Sequence, residues 1–309
     1  MTPAERIARD LGTPDLVARL AALPANELTS LLLEVTRSRK RTPRDLLEQF
    51  ARDRAVRPTD DDPRLLVAVE AHAFAAASAF TPVTLSPVAP LGLNVVLGDI
   101  DQNSTLAALR NCEVLADPTT VLALATAEEL RGSDGDAVIR KCAAARMLRM
   151  QPFDNPAFSP HFAIFALASG GRARPDHGFE IEALVEHLTA HLSLYERLNG
   201  DGYRLADLRV EVADTAGDEA RLAAAEARVF PAVRARFPEV TCAIDRARTH
   251  AIHYYRGLCL HVTARDPSGQ VQQLSDGGAT DWLARLTSNG KLRFFASGFG
   301  SQLLPRRFR

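Results

Sequence analysis

Apolar positions in the first sixty residues recur every three to four places. "ANELTSLLLEVTRSR" sets Leu28, Leu31, Leu32 and Val35 on one stripe, the i, i+3, i+4, i+7 spacing of a helix face. Two neighbouring segments open on a Thr-Pro pair. In "GTPDLVARLAAL", Thr13 is expected as N-cap, Pro14 at the first helical position and Asp15 in the first turn. "RTPRDLLEQFARDR" repeats that start at Thr42 and Pro43. Short helices joined by tight turns are therefore predicted. "RPTDDDPR", 57–64, has prolines, acids and nothing to bury, so it reads as a boundary.

Past that boundary the pattern changes. "LLVAVEAHAFAAASA" predicts an Ala-rich helix, and "TPVTLSPVAPLGLNVVLG" an edge strand with turns. "EVLADPTTVLALATAEELR" reads as a short strand, a turn at Asp117-Pro118 and a helix opening at Thr119 or Thr120. "DAVIRKCAAARMLRMQ" and "HFAIFALASGG" are apolar enough for two central strands with the loop 152–160 between them. "FEIEALVEHLTAHLSLYERL" puts Ile181, Leu184, Val185, Leu188 and Leu192 on one helix face. A helix over 217–229 and a strand near 240–244 follow, then a strand "AIHYYRGLCLHVTAR" and a hairpin turn at "DPSG". The chain ends through "QVQQLSDGG", a helix "TDWLARLTS" and a strand "LRFFASGFG". The expected fold class is α+β: an antiparallel, six-stranded type of sheet flanked by helices (63–309), after a small N-terminal helical domain (1–62).

Bulk properties narrow the function classes. With 309 residues, 46% hydrophobic and 24% charged, the chain has an ordinary globular balance. A net charge of −1 gives no global basic field for nucleic acid, and the basic run "RSRKRTPR" is offset by Glu48, Asp53 and the acids after it. No apolar run suits a membrane span and no signal peptide is legible, so a cytoplasmic protein without membrane partners is expected. Cys112, Cys142, Cys242 and Cys259 are far apart and read as reduced, buried thiols. His187 and His191 stand four apart, but Leu188 occupies the place where a metalloprotease needs Glu. A solvated helix face is expected there, and no protein-built metal site.

The chemistry concentrates in "RMLRMQPFDNPAFSPHF", 146–162. An arginine inside an apolar strand must find an anion or reach a cavity, because an unpaired buried charge is costly. Arg149 therefore either pairs with an acid such as Glu113 or Asp117, or awaits a phosphate, whose geometry suits the guanidinium fork. Phe162 on the returning strand either stacks on a base or packs in the core. Gly277 and Gly278, ahead of a predicted helix, suit a tight turn or close backbone approach to a ligand.

That stretch resembles motif 2 of the class II aminoacyl-tRNA synthetases, a strand ending in Phe-Arg-x-Glu, a loop, and a return on Phe. Leu148, Arg149, Met150 and Gln151 match the first part, with Gln in place of Glu, and His161-Phe162 the second. The helix before "PVTLSPVAPLG", with Pro87, is similar to motif 1, the family's dimer interface. "ADPTTVL" resembles the histidyl-type Arg-Pro-Glu-x-Thr turn without its Arg and Glu. "RARTHAIHYYRGLCLHV" keeps Tyr254 and Tyr255 of Arg-Gly-Leu-Asp-Tyr-Tyr, and "DGGATDWLARL" keeps Gly277, Gly278 and Asp281. "ASGFGSQLLPRRF" resembles motif 3, with Arg306 one place beyond the expected arginine.

The resemblance implies a homodimer that uses ATP and Mg2+ to activate an amino acid or other small carboxylate as its adenylate. Arg149 would hold the α-phosphate, Phe162 the adenine ring, Gln151 an adenine edge and Arg306 the γ-phosphate. Thr119, Thr120, Tyr254, Tyr255, Gly277 and Gly278 would meet the small molecule, and Glu113 or Asp276 the magnesium. A histidyl-type anticodon-binding domain would follow motif 3, where this sequence stops, so ordinary tRNA charging is not expected. The same resemblance admits a non-catalytic paralogue that binds an amino acid or nucleotide and regulates a partner protein. An RNA-binding accessory using "RSRKRTPR" and "PRRFR" is a third reading.

Overall fold

The computed structural model describes residues 1–39, 41–108, 110–133, 136–150 and 159–309. Four helices come first: α1 (Pro3–Asp10), α2 (Leu16–Ala21), α3 (Ala25–Ser38) and α4 (Pro43–Arg52). At α1 the Thr2 hydroxyl accepts from the Glu5 amide while Glu5 accepts from the Thr2 amide; Thr42 and Asp45 repeat this capping box at α4. α2 starts later than expected, because the Thr13 hydroxyl turns back to the Leu11 carbonyl and Asp15 takes the cap position. The stripe on α3 exists but is only partly covered: Leu28 and Leu32 are half-buried, α2, α3 and α4 contain no fully buried residue, and Leu31, Val35, Leu46, Leu47 and Phe50 are exposed.

The rest of the chain alternates helix and strand. In order come α5 (Pro63–Ala76), β1 (Thr81–Pro82), β2 (Val88–Pro90), α6 (Leu93–Gly98), β3 (Ala107–Ala108), β4 (Cys112–Val114) and α7 (Pro118–Arg131). Then follow β5 (Ile139–Leu148), β6 (His161–Arg172), α8 (Gly178–Gly200), β7 (Ala206–Asp214), α9 (Glu219–Arg236) and β8 (Thr241–Ile244). β9 (Leu258–Arg265), β10 (Val271–Thr280), α10 (Trp282–Thr287), β11 (Leu292–Gly300) and α11 (Leu303–Phe308) complete it.

Eight strands form one sheet in the order β1-β5-β6-β11-β10-β9-β7-β8, and β2-β4-β3 form a small second one. The six inner strands pair antiparallel, as the pattern predicts. Both edges, β1 on β5 and β8 on β7, are parallel additions the pattern did not reveal. β7 and β8 are joined through α9, the helical crossover that a parallel pair requires. β9 starts only at Leu258, after Gly257 at φ 114°, so Tyr254 and Tyr255 stand on a turn and not on a strand.

Helices cover both faces of the sheet. α5, α8 and α9 close one side, where Leu184 and Leu188 of α8 join Phe165, Val210, Leu260 and Phe295 of the strands. α6, α7 and α10 close the other, bringing Leu97, Leu122 and Trp282 onto Ala166, Ala168 and Phe294 of the strands. Each fully buried Leu or Phe contributes about 1.5–3 kcal/mol relative to exposure. Burial pushes the Cys142 thiol up to about 11 and the Cys259 thiol up to about 12, so both stay protonated near neutrality. Among the described residues no helix is long and apolar enough to cross a membrane.

His187 and His191 correct the sequence-based picture of α8. Both are buried, because α8 packs along the sheet on more than one of its faces. Ser297 on β11 bridges the two rings, at 2.7 Å from His187 Nδ1 and 2.8 Å from His191 Nε2, and Ser169 on β6 lies 3.0 Å from His187 Nε2. Tyr195 and Ser275 add a further bond between α8 and β10. A histidine that cannot shed its neutral state under the sheet reads, in sequence, like any polar helix residue.

Burial drives the His191 pKa down to about 3 and that of His187 well below its ordinary range. In the unfolded chain both rings take a proton near pH ~6.5, whereas the folded protein resists protonation. The unfolded state therefore binds more protons below that pH, and stability is lost progressively as pH falls from about 6.5 towards 3, by up to about 1.4 kcal/mol per pH unit for each ring. Urea unfolding between pH 7 and pH 5 checks this: the midpoint should fall steadily, and more shallowly in His191→Asn. Equal pH slopes in the two proteins would contradict it.

Candidate functional site

Small side chains open a cavity on the α7–α10 side of the sheet. Across the strands, His261 on β9 pairs with Asp276 on β10, Asp276 with Gly298 on β11, and Gly298 with Ala166 on β6. His261, Asp276 and Gly298, with Ile164 and Ala296 beside them, form the floor of a cleft of about 390 Å³. Asp117 and Thr119 at the start of α7, Arg149 past the end of β5, and Tyr254 and Tyr255 form its walls. A row of larger side chains on this face would have filled the space with core.

One end of the cleft is organised by the Asp117 carboxylate. Its Oδ1 caps α7, accepting from the Thr119 amide at 2.9 Å and the Thr119 hydroxyl at 2.6 Å. Its Oδ2 accepts from the Tyr254 hydroxyl at 2.9 Å and faces the Arg149 Nη2 at 3.4 Å. Arg149 also donates Nε to the Ala116 carbonyl at 2.9 Å, and its guanidinium lies 5.7 Å from the Phe162 ring centroid. Of the two alternatives for Arg149, pairing with Asp117 holds, yet a quarter of the side chain stays exposed and it lines the cleft. Burial and the Asp117 charge push the Tyr254 hydroxyl well above its ordinary pKa, so it remains a proton donor.

The other end is organised by Asp276. Its Oδ1 pairs with the buried Arg248 at 2.8 Å, and its Oδ2 accepts from the Tyr255 hydroxyl at 3.2 Å. His261, next to it on the floor, keeps its Nδ1 3.6 Å from Glu211, and its Nε2 has no hydrogen-bond partner among the described residues. Burial holds the His261 pKa below the usual histidine range. Tyr254 and Tyr255 meet edge to face at 5.0 Å, and Tyr254 rests on Trp282 at 5.2 Å.

Arg149, Thr119, Tyr254 and Tyr255 therefore converge on one cleft, and Phe162 supports the guanidinium from its sheet-face side. Gln151 lies outside the described residues. Thr120 does not line the cleft: it is buried, its hydroxyl bonded to the Asp117 carbonyl and to Asn94. Gly277 and Gly278 sit inside β10 and not ahead of a helix. Their role is packing, because a Cβ at 277 would stand 2.3 Å from that of Ser297 and one at 278 would stand 2.8 Å from the Tyr255 ring. Gly278 thus seats a cleft tyrosine without touching the cleft itself.

Arg306 also departs from its expected place. It lines a second cavity, of about 650 Å³, and binds Asp61 through Nε at 2.5 Å and Nη2 at 2.9 Å. That carboxylate belongs to the acidic run read as having nothing to bury, and no local signal could have linked positions 245 residues apart. Glu113 is not a magnesium candidate. It is fully buried, accepting from the Gly92 and Asn94 amides, the Asn94 side chain and Gln102; burial opposes its charge, but these bonds hold its pKa below the usual range. Asp276 is engaged as described, and among the described residues no three His, Cys, Asp or Glu side chains converge on a metal position.

Tyr254→Phe removes the hydroxyl that joins Asp117 to Thr119 and leaves a mostly buried carboxylate short of a donor. A loss of about 1–2 kcal/mol in folding stability is expected. Urea unfolding measures it, and an unchanged midpoint would mean that the Asp117 cluster does not hold this end of the cleft together.

No sequence-family profile and no curated protein sequence matches the chain. Solved structures do match. Apo histidyl-tRNA synthetase from S. aureus superposes with a TM-score of 0.57 at 12% identity, over 79% of this chain and 64% of that one. An ATP phosphoribosyltransferase regulatory subunit/histidyl-tRNA synthetase from Bacillus halodurans gives 0.60 at 11%, over 81% and 80%. A histidine–tRNA ligase subunit from Alicyclobacillus acidocaldarius gives 0.56 at 12%, over 80% and 94%. The chain thus spans somewhat under two thirds of the staphylococcal enzyme. At this identity the likeness is one of architecture, and the architecture is that of a class II synthetase-like core.

Proposed function

We propose that the cleft binds an amino acid or similar small carboxylate beside ATP and joins them as an acyl adenylate. The observation that carries this reading is the partly exposed Arg149 guanidinium, backed by Phe162, facing the same cleft as Tyr254 and Tyr255. A carboxylate oxygen of the substrate would attack the α-phosphorus of ATP, and the bond to the β-phosphate oxygen would break to release pyrophosphate. Negative charge accumulates on the α-phosphate oxygens as this happens. Arg149, already desolvated on one side and oriented by Ala116 and Asp117, stabilises that charge with little reorganisation. The Asp117 contact at 3.4 Å is the weaker of its two anchors, and a phosphate oxygen can take its place. Tyr254 and Tyr255, held as donors by Asp117 and Asp276, would orient the carboxylate substrate.

Magnesium would arrive on the ATP phosphates, neutralising part of their charge, because the carboxylates near the cleft already have protein partners. A homodimer suits the exposed apolar residues of the motif 1 region, Val67, Phe74, Val88 and Leu91.

A second reading, a non-catalytic paralogue that binds the small molecule and signals to a partner protein, is favoured by one observation. Arg306 is engaged by Asp61 and not open to a γ-phosphate. Amino-acid-dependent exchange of pyrophosphate into ATP separates the two. Exchange with one substrate, reduced at least about 100-fold in Arg149→Ala with the fold intact, is the expected result. Tight small-molecule binding without exchange would establish the second reading, and an Arg149→Ala variant as active as the parent would refute the assignment of that residue.

A further inference from the structure

The segment 57–62 leads from α4 to α5 across the entrance of β6 and the start of α11. Four contacts fasten it there. The Asp61 carboxylate, almost wholly buried, takes Arg306 Nε at 2.5 Å and Nη2 at 2.9 Å, and accepts from Gln302 Nε2 at 2.7 Å. The fourth joins the Arg57 carbonyl to His161 Nε2 at 2.5 Å. Both receiving side chains are fixed from behind. Gln302 Oε1 accepts from the Ala163 amide at 2.7 Å, and Arg146 lies 2.8 Å from His161 Nδ1, which leaves Nε2 to donate to the strap.

This is a built oxyanion site with an internal occupant. Two parallel guanidinium N–H bonds and one amide donor are the donor set that recognises a carboxylate or a phosphate alike. Burial opposes the Asp61 charge, but the bonds from Arg306, Gln302 and Thr59 outweigh it and keep the carboxyl below its ordinary pKa. The cavity beside it is lined by Arg54, Arg57 and Arg306 and by Asp60, Asp61 and Asp62 of the segment itself, so it turns basic only when that segment leaves, and it is of a size to take a polyphosphate. It adjoins the same β6 entrance whose next residue, Phe162, supports Arg149.

We propose that residues 57–62 form an autoinhibitory strap, in which Asp61 occupies on Arg306 and Gln302 the position that a nucleotide's terminal phosphate takes when the strap leaves. The proposal rests on the reading of the neighbouring cleft as an ATP site. Strap and nucleotide then exclude one another, and the apparent affinity for ATP is the intrinsic affinity reduced by the fraction of molecules with the strap open. The N-terminal helices, which carry exposed apolar faces, would be the handle by which a release signal reaches the site.

Calorimetric titration of the full chain with ATP and magnesium tests it, with trypsin cleavage after Arg54, at the strap's leading end, as a readout that needs no variant. Asp61→Asn, which keeps the shape but loses the charge, should bind ATP about tenfold more tightly than the parent. Glu239→Gln, which removes an exposed charge outside the cavity, should change affinity less than twofold, and saturating ATP should speed cleavage of the parent at Arg54. Parent and Asp61→Asn binding ATP equally, with cleavage unaffected by ATP, would overturn the strap and leave the ATP reading standing. An equal gain in Glu239→Gln would reduce the effect to general charge and overturn it too. Binding by neither protein would overturn both the strap and the ATP reading.

Discussion

A cation held at the edge of a sheet needs a counter-charge, and the way Asp117 meets that need at Arg149 shapes this molecule's cleft. The carboxylate is shared four ways: one oxygen starts α7 through the Thr119 amide and hydroxyl, the other takes Tyr254 and faces Arg149. A charge-assisted bond is strong when short and well aligned and weakens as it lengthens. The 3.4 Å approach therefore keeps Arg149 oriented without saturating it. Neutralising the cation while leaving it able to exchange partners is what an anion-binding position requires.

The same logic recurs at the far end and at the second cavity. Asp276 is divided between Arg248 and the Tyr255 hydroxyl, which anchors a ring that only a glycine at 278 could admit. Asp61 is more fully committed, with two short bonds to Arg306 and one to Gln302. On the proposed reading, the contrast between a loosely held and a tightly held arginine separates a site poised to bind from one already filled. Beneath both lies the apolar layer under α8, where neutral imidazoles and serine hydroxyls satisfy one another and fix the strands that carry the floor.

Much of this fold is legible in the sequence because it follows local rules. The Thr42-Pro43 helix start, the apolar stripe of α8 and the two strands flanking 152–160 depend on neighbours a few residues away, and they form as the pattern requires. Tyr254, Tyr255 and Arg149 are likewise found from short motifs, and they meet in one cleft. What stays hidden is pairing between distant segments. Asp61 with Arg306, Arg248 with Asp276 and Ser297 with two histidines of α8 each join parts of the chain that no window of sequence spans. The short parallel edge strands are invisible for the same reason, since two residues of β1 carry no periodicity.

Structure determination of the full chain with a non-hydrolysable ATP analogue and magnesium tests the central claim most directly. An α-phosphate oxygen should sit within hydrogen-bond distance of the Arg149 guanidinium, with that side chain drawn away from Asp117 and still resting on Phe162. Nucleotide bound elsewhere, or an Arg149 that keeps its bond to Asp117 beside a phosphate out of reach, would contradict it.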